Sequence, residues 1–362
     1  FPGHVDERIE ANYGTFEERF ELEAQHTQTF SNTLRAVWGG SGRLDRVGGD
    51  GKLSRDDLIE NQLYRLFGNL EWRAYDRGTV NLGTMLEQSS QVGSQISPRL
   101  ALNHQLVPNH GLHIGVSRAT RLPTVYEEYA DSAVRFSDGD LIDQEQLGST
   151  ELTPKRIVSY EVGYLGQFPE RKVTVDVKAF HDKLEDRIQA PKKYPYPADP
   201  FDGRAFLYTN SGALSVNGVE TTLTYRPQKR SMLKFNWAYA RAKGRAIDSY
   251  EMSLNPAAWR YEDLGEDVPT HTYSVFGMHR LPHDIDISAT YYKVSGMKWL
   301  GDGDRLRAQD RLDVRLAKQF RYAASSNSLA LVAQNVLDEY LEFRDENVFD
   351  TRVYLELTLG LD

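Results

Sequence analysis

The chain comprises 362 residues with no cysteine, a formal net charge of −9, and 40% hydrophobic and 11% aromatic residues; its mean hydropathy is −0.56. The missing cysteines exclude a disulfide-stapled secreted module and a thiolate metal site, and the acidic balance argues against nucleic acid as a partner, because phosphates need a basic surface. No window holds the roughly 18 uninterrupted apolar residues of a transmembrane helix, whereas a transmembrane β-barrel stays open, since only every second residue of its strands meets lipid.

Taken in chain order, apolar and polar residues alternate at the period of a β-strand again and again. Phe20, Leu22 and Ala24 interleave with Glu21, Glu23 and Gln25, and Leu34, Ala36 and Trp38 follow. Leu66, Leu70 and Trp72 alternate with Arg65, Asn69 and Glu71; Val80 and Leu82, then Leu100 and Leu102, then Leu112, Ile114 and Val116 continue the pattern. After a long irregular stretch come Val158 to Tyr164, Val173 to Val177, Val219 to Tyr225 and Leu233 to Tyr239. Tyr273 and Val275, Ile285 to Tyr291, Leu312 to Leu316, and Leu329 and Leu331 lead to a final run in which Val353, Leu355, Leu357, Leu359 and Leu361 alternate with Tyr354, Glu356, Thr358 and Gly360. This predicts about 15 strands of roughly 9 to 14 residues, longer than the ~5 to 6 usual in soluble sheets and matched to a tilted bilayer crossing.

The connections sort by length. Short ones fall at residues 29–32, 75–78, 108–110, 169–172, 227–230, 282–284 and 322–327, and long ones at 42–60, 119–154, 188–213, 243–268, 296–308 and 337–348. Short turns at one end and long loops at the other are the habit of outer-membrane barrels. A closing strand that runs toward the periplasm, together with an odd strand count, places the first clear strand, near Phe20, in the same direction. The start of the barrel is then expected to be missing. Phe1, Pro2, Gly3 and His4 open no signal peptide, so either a leader has been removed or the chain begins inside a longer one.

Several local motifs resemble the barrel of TonB-dependent outer-membrane receptors. They are Ile96-Ser-Pro-Arg-Leu-Ala-Leu102; Ser117-Arg-Ala-Thr-Arg-Leu-Pro-Thr-Val-Tyr-Glu-Glu128; Leu152-Thr-Pro-Lys-Arg156; and Ser159-Tyr-Glu-Val-Gly-Tyr164. Tyr208-Thr-Asn-Ser-Gly212, Gly218-Val-Glu220 and Gln334-Asn-Val-Leu-Asp-Glu-Tyr340 complete the set. The order and spacing carry the resemblance over residues 60–362. It implies an all-β transmembrane antiparallel barrel, with residues 1–362 a partial barrel domain supplying about 15 of about 22 strands, and with the N-terminal plug and first strands absent. It further implies a Gram-negative outer-membrane location and contact with lipid. TonB is an implied partner through the absent plug region, and the implied cargo is a scarce nutrient, a ferric siderophore first and haem or cobalamin as alternatives. The chain ends in Gly360-Leu361-Asp362, where family members normally end in an aromatic residue.

No HExxH, G-x-S-x-G, G-x-G-x-x-G or P-loop signature occurs, so an enzyme is not expected and no cofactor is assigned. His110 and His113 read as a polar turn rather than a metal site. Residues 50–57 resemble half of an EF-hand loop, but Arg46 and Gly48 occupy its first and third ligand positions. Binding is the more promising chemistry. Arg99, Arg118 and Arg121 lie on or just above inward faces, where guanidinium groups can hold an anion, and Tyr194, Tyr196, Phe206, Trp259, Tyr261 and Trp299 lie in long loops, where rings can stack on a flat ligand. Against this, Arg99 and Arg118 could pair with Glu71, Glu87 and Glu161, Trp299 and Tyr291 could belong to an aromatic girdle, and Glu127 and Glu128 read as solvated loop residues. A passive porin-like channel and a soluble β-rich binding protein are the other classes that alternation allows.

Overall fold

The computed structural model describes residues 9–10, 14–49, 51–190, 194–201, 203–247, 261–298, 305–322, 325–342 and 344–360. Its main body is one antiparallel sheet of 15 strands in chain order, with one short extra strand beside it. The strands are β1 (Phe16–Ser31), β2 (Leu34–Gly48), β3 (Ile59–Tyr75), β4 (Gly78–Ser89), β5 (Gly93–Val107), β6 (His110–Arg121), β7 (Lys155–Phe168), β8 (Val173–Glu185), β9 (Leu214–Gln228), β10 (Ser231–Ile247), β11 (His271–Leu281), β12 (Ile285–Val294), β13 (Gln309–Tyr322), β14 (Ser325–Gln334) and β15 (Arg352–Thr358). Each pairs with its successor. β1 and β15 are the two free edges, and the sheet is not closed on itself.

Lengths run from 7 residues in β15 to 17 in β3 and β10, a wider spread than the alternation alone suggests. β2 runs to Gly48 rather than ending near Gly42, because the charges that hide its alternation are paired across strands. Across strands Arg19 reaches Asp45 at 2.6 Å and Arg46 reaches Glu60 at 2.9 Å, and within β2 Arg43 reaches the same Asp45 at 3.0 Å. The short turns at 29–32, 75–78, 108–110, 169–172, 227–230 and 282–284 lie where the sequence puts them, whereas Ser325, Ser326 and Asn327, expected in a turn, already pair in β14; Asn109, Lys172, His283 and Asp284 adopt the positive φ that tight reversals demand. One connection at the long-loop end is short, from Ser89 to Gly93. The long connections carry structure of their own: a five-residue helix α1 (Val125–Tyr129) and a small sheet containing Asp131–Phe136, Leu141–Leu147, Arg204–Leu207 and Tyr194–Pro195.

Alternation gives the large sheet an apolar and a polar face. Leu22, Leu66 and Leu355 are 80%, 65% and 72% exposed on the apolar face, so nothing in the described chain covers it. The polar face pairs its charges: Arg65 with Glu87 at 2.6 Å and Lys178 with Glu220 at 2.9 Å join neighbouring strands, and Arg311 holds Asp313 of its own strand at 2.7 Å.

The last long connection shows what its motif is for. Asn335 is completely buried at φ 51, a conformation that asparagine tolerates better than most residues. Its backbone N–H donates to Asp313 Oδ1 at 2.9 Å, its side-chain amide donates to the carbonyls of Asp338 and Phe349 at 3.1 Å each, and its own carbonyl accepts from the Thr351 hydroxyl at 2.6 Å. Replacing Asn335 with Ala removes the donor to two partly buried carbonyls and strains the turn, which should destabilise the β14–β15 hairpin by about 2–4 kcal/mol. A lowered midpoint in denaturant titration of the folded barrel checks this, and an unchanged midpoint refutes it.

Candidate functional site

The described loops converge over the polar face of β1–β4 through α1. Thr124 caps the helix: its hydroxyl accepts from the Glu127 N–H at 3.1 Å while the Glu127 carboxylate accepts from the Thr124 N–H at 2.8 Å, closing a capping box. Val125 packs with Leu53 and Ile59 in a small buried cluster. Ser54 N–H donates to the Tyr129 carbonyl and Asp131 N–H to the Lys52 carbonyl, both at 2.8 Å, so the 49–58 connection and the 122–154 connection are stitched together. Gly148 is required at this junction, since a Cβ there would come within 2.5 Å of the backbone of Glu128 and Ala130.

Below α1 lies a recess of about 620 Å³ lined by Arg19, Arg43, Asp45, Arg65, Arg121 and Tyr126 among others. Arg121, the last residue of β6, grips Glu127 with both terminal nitrogens, at 2.9 and 2.6 Å, while its Nε is buried without a partner. Lys155, the first residue of β7, stands opposite Arg121 in the sheet register. It feels the charges of both Arg121 and Arg187. Arg187 has a buried Nη1 with no partner, and burial pulls its pKa down against the opposing charge of Asp267. Tyr208 and Tyr126 meet edge to face at 6.1 Å, Tyr126 donates to Gln146 at 2.5 Å, and burial pushes the Tyr208 hydroxyl pKa up. Three cations, with Glu127 bonded to Arg121 and Asp267 opposing Arg187, stand beside two rings and make a recess suited to an anion with flat groups.

Of the ligand-binding candidates named in the sequence, Arg121 alone is shown in this cluster, where it meets Glu127. Arg99 sits on the polar face farther from the loops, in a second recess with Glu161, Lys178 and Glu220. Glu161 there takes His113 at 2.8 Å, and Glu87 takes Arg65. Arg118 does not face inward. Its register partner is Val158, it shares strand parity with Ile114 and Val116, and it lies on the apolar face, because an odd shift along a strand changes face. His110 and His113 are split between the two faces for the same reason, with His110 bonded to Tyr164 at 2.7 Å.

Tyr194 pairs through its backbone with Ala205 in the small sheet, its side chain lying outside the described residues, and Tyr196 N–H donates to the Gly203 carbonyl at 2.6 Å, so both positions belong to the loop cluster. Phe206 is in the adjoining strand. Trp259, Trp299 and Asp50, the first residue of the EF-hand-like stretch, lie outside the described residues, as does the side chain of Tyr261. Tyr291 lies on the apolar face opposite Leu312 and donates to Asp310 at 3.1 Å.

Glu127 and Glu128 are not solvated loop residues. Burial pushes the Glu127 carboxyl up, and its bonds to Arg121 and Thr124 bring it net below the usual range. Glu128 is 5% exposed and accepts from the Gln91 side chain at 2.5 Å; burial, with the charge of Glu127 adding to it, raises its pKa from 4.5 to about 7. Lys155, Arg187, Tyr126 and Tyr208 escape a reading of the sequence because they meet only through the register and the loop sheet. The Thr124-x-x-Glu127 capping box was the available local signal.

With this geometry described, the relationships are clear. The sequence matches the family described as TonB dependent receptor-like, beta-barrel, over residues 3–336. The chain belongs to that family. A search of curated proteins found no significant match. Among solved structures, the ferric enterobactin receptor PfeA of Pseudomonas aeruginosa superimposes with a TM-score of 0.72 at 14% identity, covering 96% of this chain and 54% of the other. The siderophore receptor PirA of the same organism gives 0.72 at 13%, with 96% and 57% covered. The ferric-catecholate import receptor Fiu of E. coli K12 gives 0.67 at 12%, with 95% and 54% covered. These likenesses establish a shared fold, and the chain spans a little over half the length of each of these relatives.

Because the folded-state pKa of Glu128 lies above its unfolded value, the fold favours the protonated form. The stabilisation this gives is complete below about pH 4.5 and is lost as pH rises through about 7. Limited proteolysis of the 122–154 connection should therefore be faster at pH 8 than at pH 5, and Glu128→Gln should protect it at both. Equal cleavage of the unaltered protein at both pH values would refute this pH-dependent stabilisation.

Proposed function

We propose that this chain is part of the wall of an outer-membrane receptor that imports a ferric siderophore with energy delivered through TonB. Family membership supports import of a scarce nutrient rather than a passive pore. The uncovered apolar face supports contact with lipid, since an exposed surface of this extent in water would drive aggregation. The observation that favours an iron chelate over other cargo is the mouth cluster. Arg121, Lys155 and Arg187 place positive charge beside Tyr126 and Tyr208, which suits an anionic complex bearing planar groups. The relatives named for ferric enterobactin and ferric catecholate agree in kind.

In this reading Glu127 is a positioning residue. Its two contacts to Arg121 fix α1 and leave Lys155 and Arg187 as the charges a ligand can neutralise. A cargo that enters here exchanges water for fixed cations in a half-buried site, where each charge-assisted bond contributes on the order of 1.5–3 kcal/mol.

The test is growth of a strain lacking the intact receptor under iron limitation, complemented with the wild-type or the Lys155→Gln/Arg187→Gln gene and fed single purified siderophores, haem or cobalamin. Wild type should restore growth on at least one siderophore, and the double variant, at equal surface level, should raise the concentration needed by about tenfold or more. If growth depends on the receptor only with haem or cobalamin, the cargo is wrong; if the double variant matches wild type, the mouth cluster is not the binding site.

A further inference from the structure

On the apolar face, the described strands carry a row of cations just above the hydrocarbon-like surface. Following the register across the sheet, Arg118 on β6 stands opposite Val158, Val158 opposite Lys183 on β8, Lys183 opposite Ser215, and Ser215 opposite Lys243 on β10. One row nearer the short turns, Val116, Tyr160, His181, Asn217 and Arg241 are aligned in the same way. The next row is Ile114, Val162, Ala179, Val219 and Tyr239, and it is free of charge. The face thus changes from oil to cations within two rows, at the end that carries the long connections.

The charges are only partly compensated. Lys183 pairs with Glu185 at 2.5 Å, and Arg156 above it pairs with Asp186 at 2.6 Å. Arg118, Arg241 and Lys243 have no carboxylate partner among the described residues, and the Nε of Arg118 is buried without a hydrogen bond. His181 is held by Asn217 at 2.7 Å and stacks on Tyr160. Arg118 and Lys243 stand four strands apart, about 19 Å at the usual strand spacing.

We propose that this row docks phosphate-bearing lipids of the outer leaflet, with the headgroup phosphates on Arg118, Lys183, Arg241 and Lys243 and the acyl chains on the apolar rows below. The occupant follows from the two surfaces together. A soluble anion would use the charges and ignore the oil, whereas an anionic amphiphile matches both. The proposal rests on the outer-membrane location argued above but not on the cargo, and it assigns Arg118 to lipid rather than to the ligand.

The experiment is native mass spectrometry of the intact, delipidated receptor titrated with lipid A carrying its phosphates, the same lipid with phosphates removed, and inorganic phosphate alone. Wild type should retain the phosphorylated lipid about tenfold or more over the dephosphorylated one, and Arg118→Gln/Arg241→Gln/Lys243→Gln should lose that preference. Heat-modifiable gel mobility reports that the variant is folded, and the exposed single variant Lys243→Gln, which removes no packing, should show a partial loss. Lys229→Gln/Arg230→Gln, in a short turn at the other end, removes similar charge and should keep the preference. The proposal is overturned if the folded triple variant retains the wild-type preference, if the turn variant loses as much, or if inorganic phosphate occupies the row as tightly as the lipid. Absence of the intact receptor from the outer-membrane fraction would instead sink the location itself, while siderophore-dependent growth of the triple variant reports on the cargo site independently.

Discussion

A β-strand alternates its side chains, and a backbone placed in oil must satisfy every N–H and C=O with a neighbouring strand. Those two facts dictate most of this molecule. Fifteen strands in chain order, joined mostly by tight reversals at one end, are the simplest way to pair all that backbone without a crossover. The same alternation fixes which side chains share a medium. A register slip of one residue would put Glu21, Arg65 and Glu87 in oil and Leu22, Leu66 and Leu86 on the polar side, so the register is specified strongly all along the sheet.

On the polar side, charge does the work that apolar packing does in a soluble core. Arg19 and Arg43 share Asp45, and Arg65 is held by Glu87 at 2.6 Å with Glu21 farther off at 3.5 Å. Arg19–Asp45, Arg65–Glu87 and Arg65–Glu21 join neighbouring strands or strands one apart, whereas Arg43–Asp45 lies within β2. Such pairs contribute modest net stability, because desolvation offsets their attraction, but removing one partner leaves the other stranded. Their consequence here is geometric, since they hold the wall on which α1 rests. The helix is too short to be stable alone. Its capping box, the Arg121–Glu127 fork and the Val125–Leu53–Ile59 contact together keep it in place.

How much of this was legible depended on the distance over which a signal acts. Strands were readable because periodicity is local: Val173, Val175 and Val177 show their face without reference to any partner. The end of β2 was not, because Arg43, Asp45 and Arg46 look like a loop until their partners Arg19 and Glu60 are placed beside them. Glu128 was misread for a related reason. A glutamate is ordinarily solvated, and only the fold brings Gln91, some 37 residues away, against its carboxylate.

By itself the sequence determined the class of fold, the count of strands, the end on which the loops gather and the family. All of these depend on patterns repeated every two residues or on short motifs such as the one around Asn335. Only the tertiary structure decided which charged residues meet. Arg99 and Arg118 look equivalent in the sequence, yet they fall on opposite faces, while Lys155, noted there only as part of a motif, and Arg187, not noted at all, come together with Arg121. The physical reason is that a side chain's medium is set by strand parity, but its neighbours are set by pairing register and by loop packing, and those are properties of several strands at once.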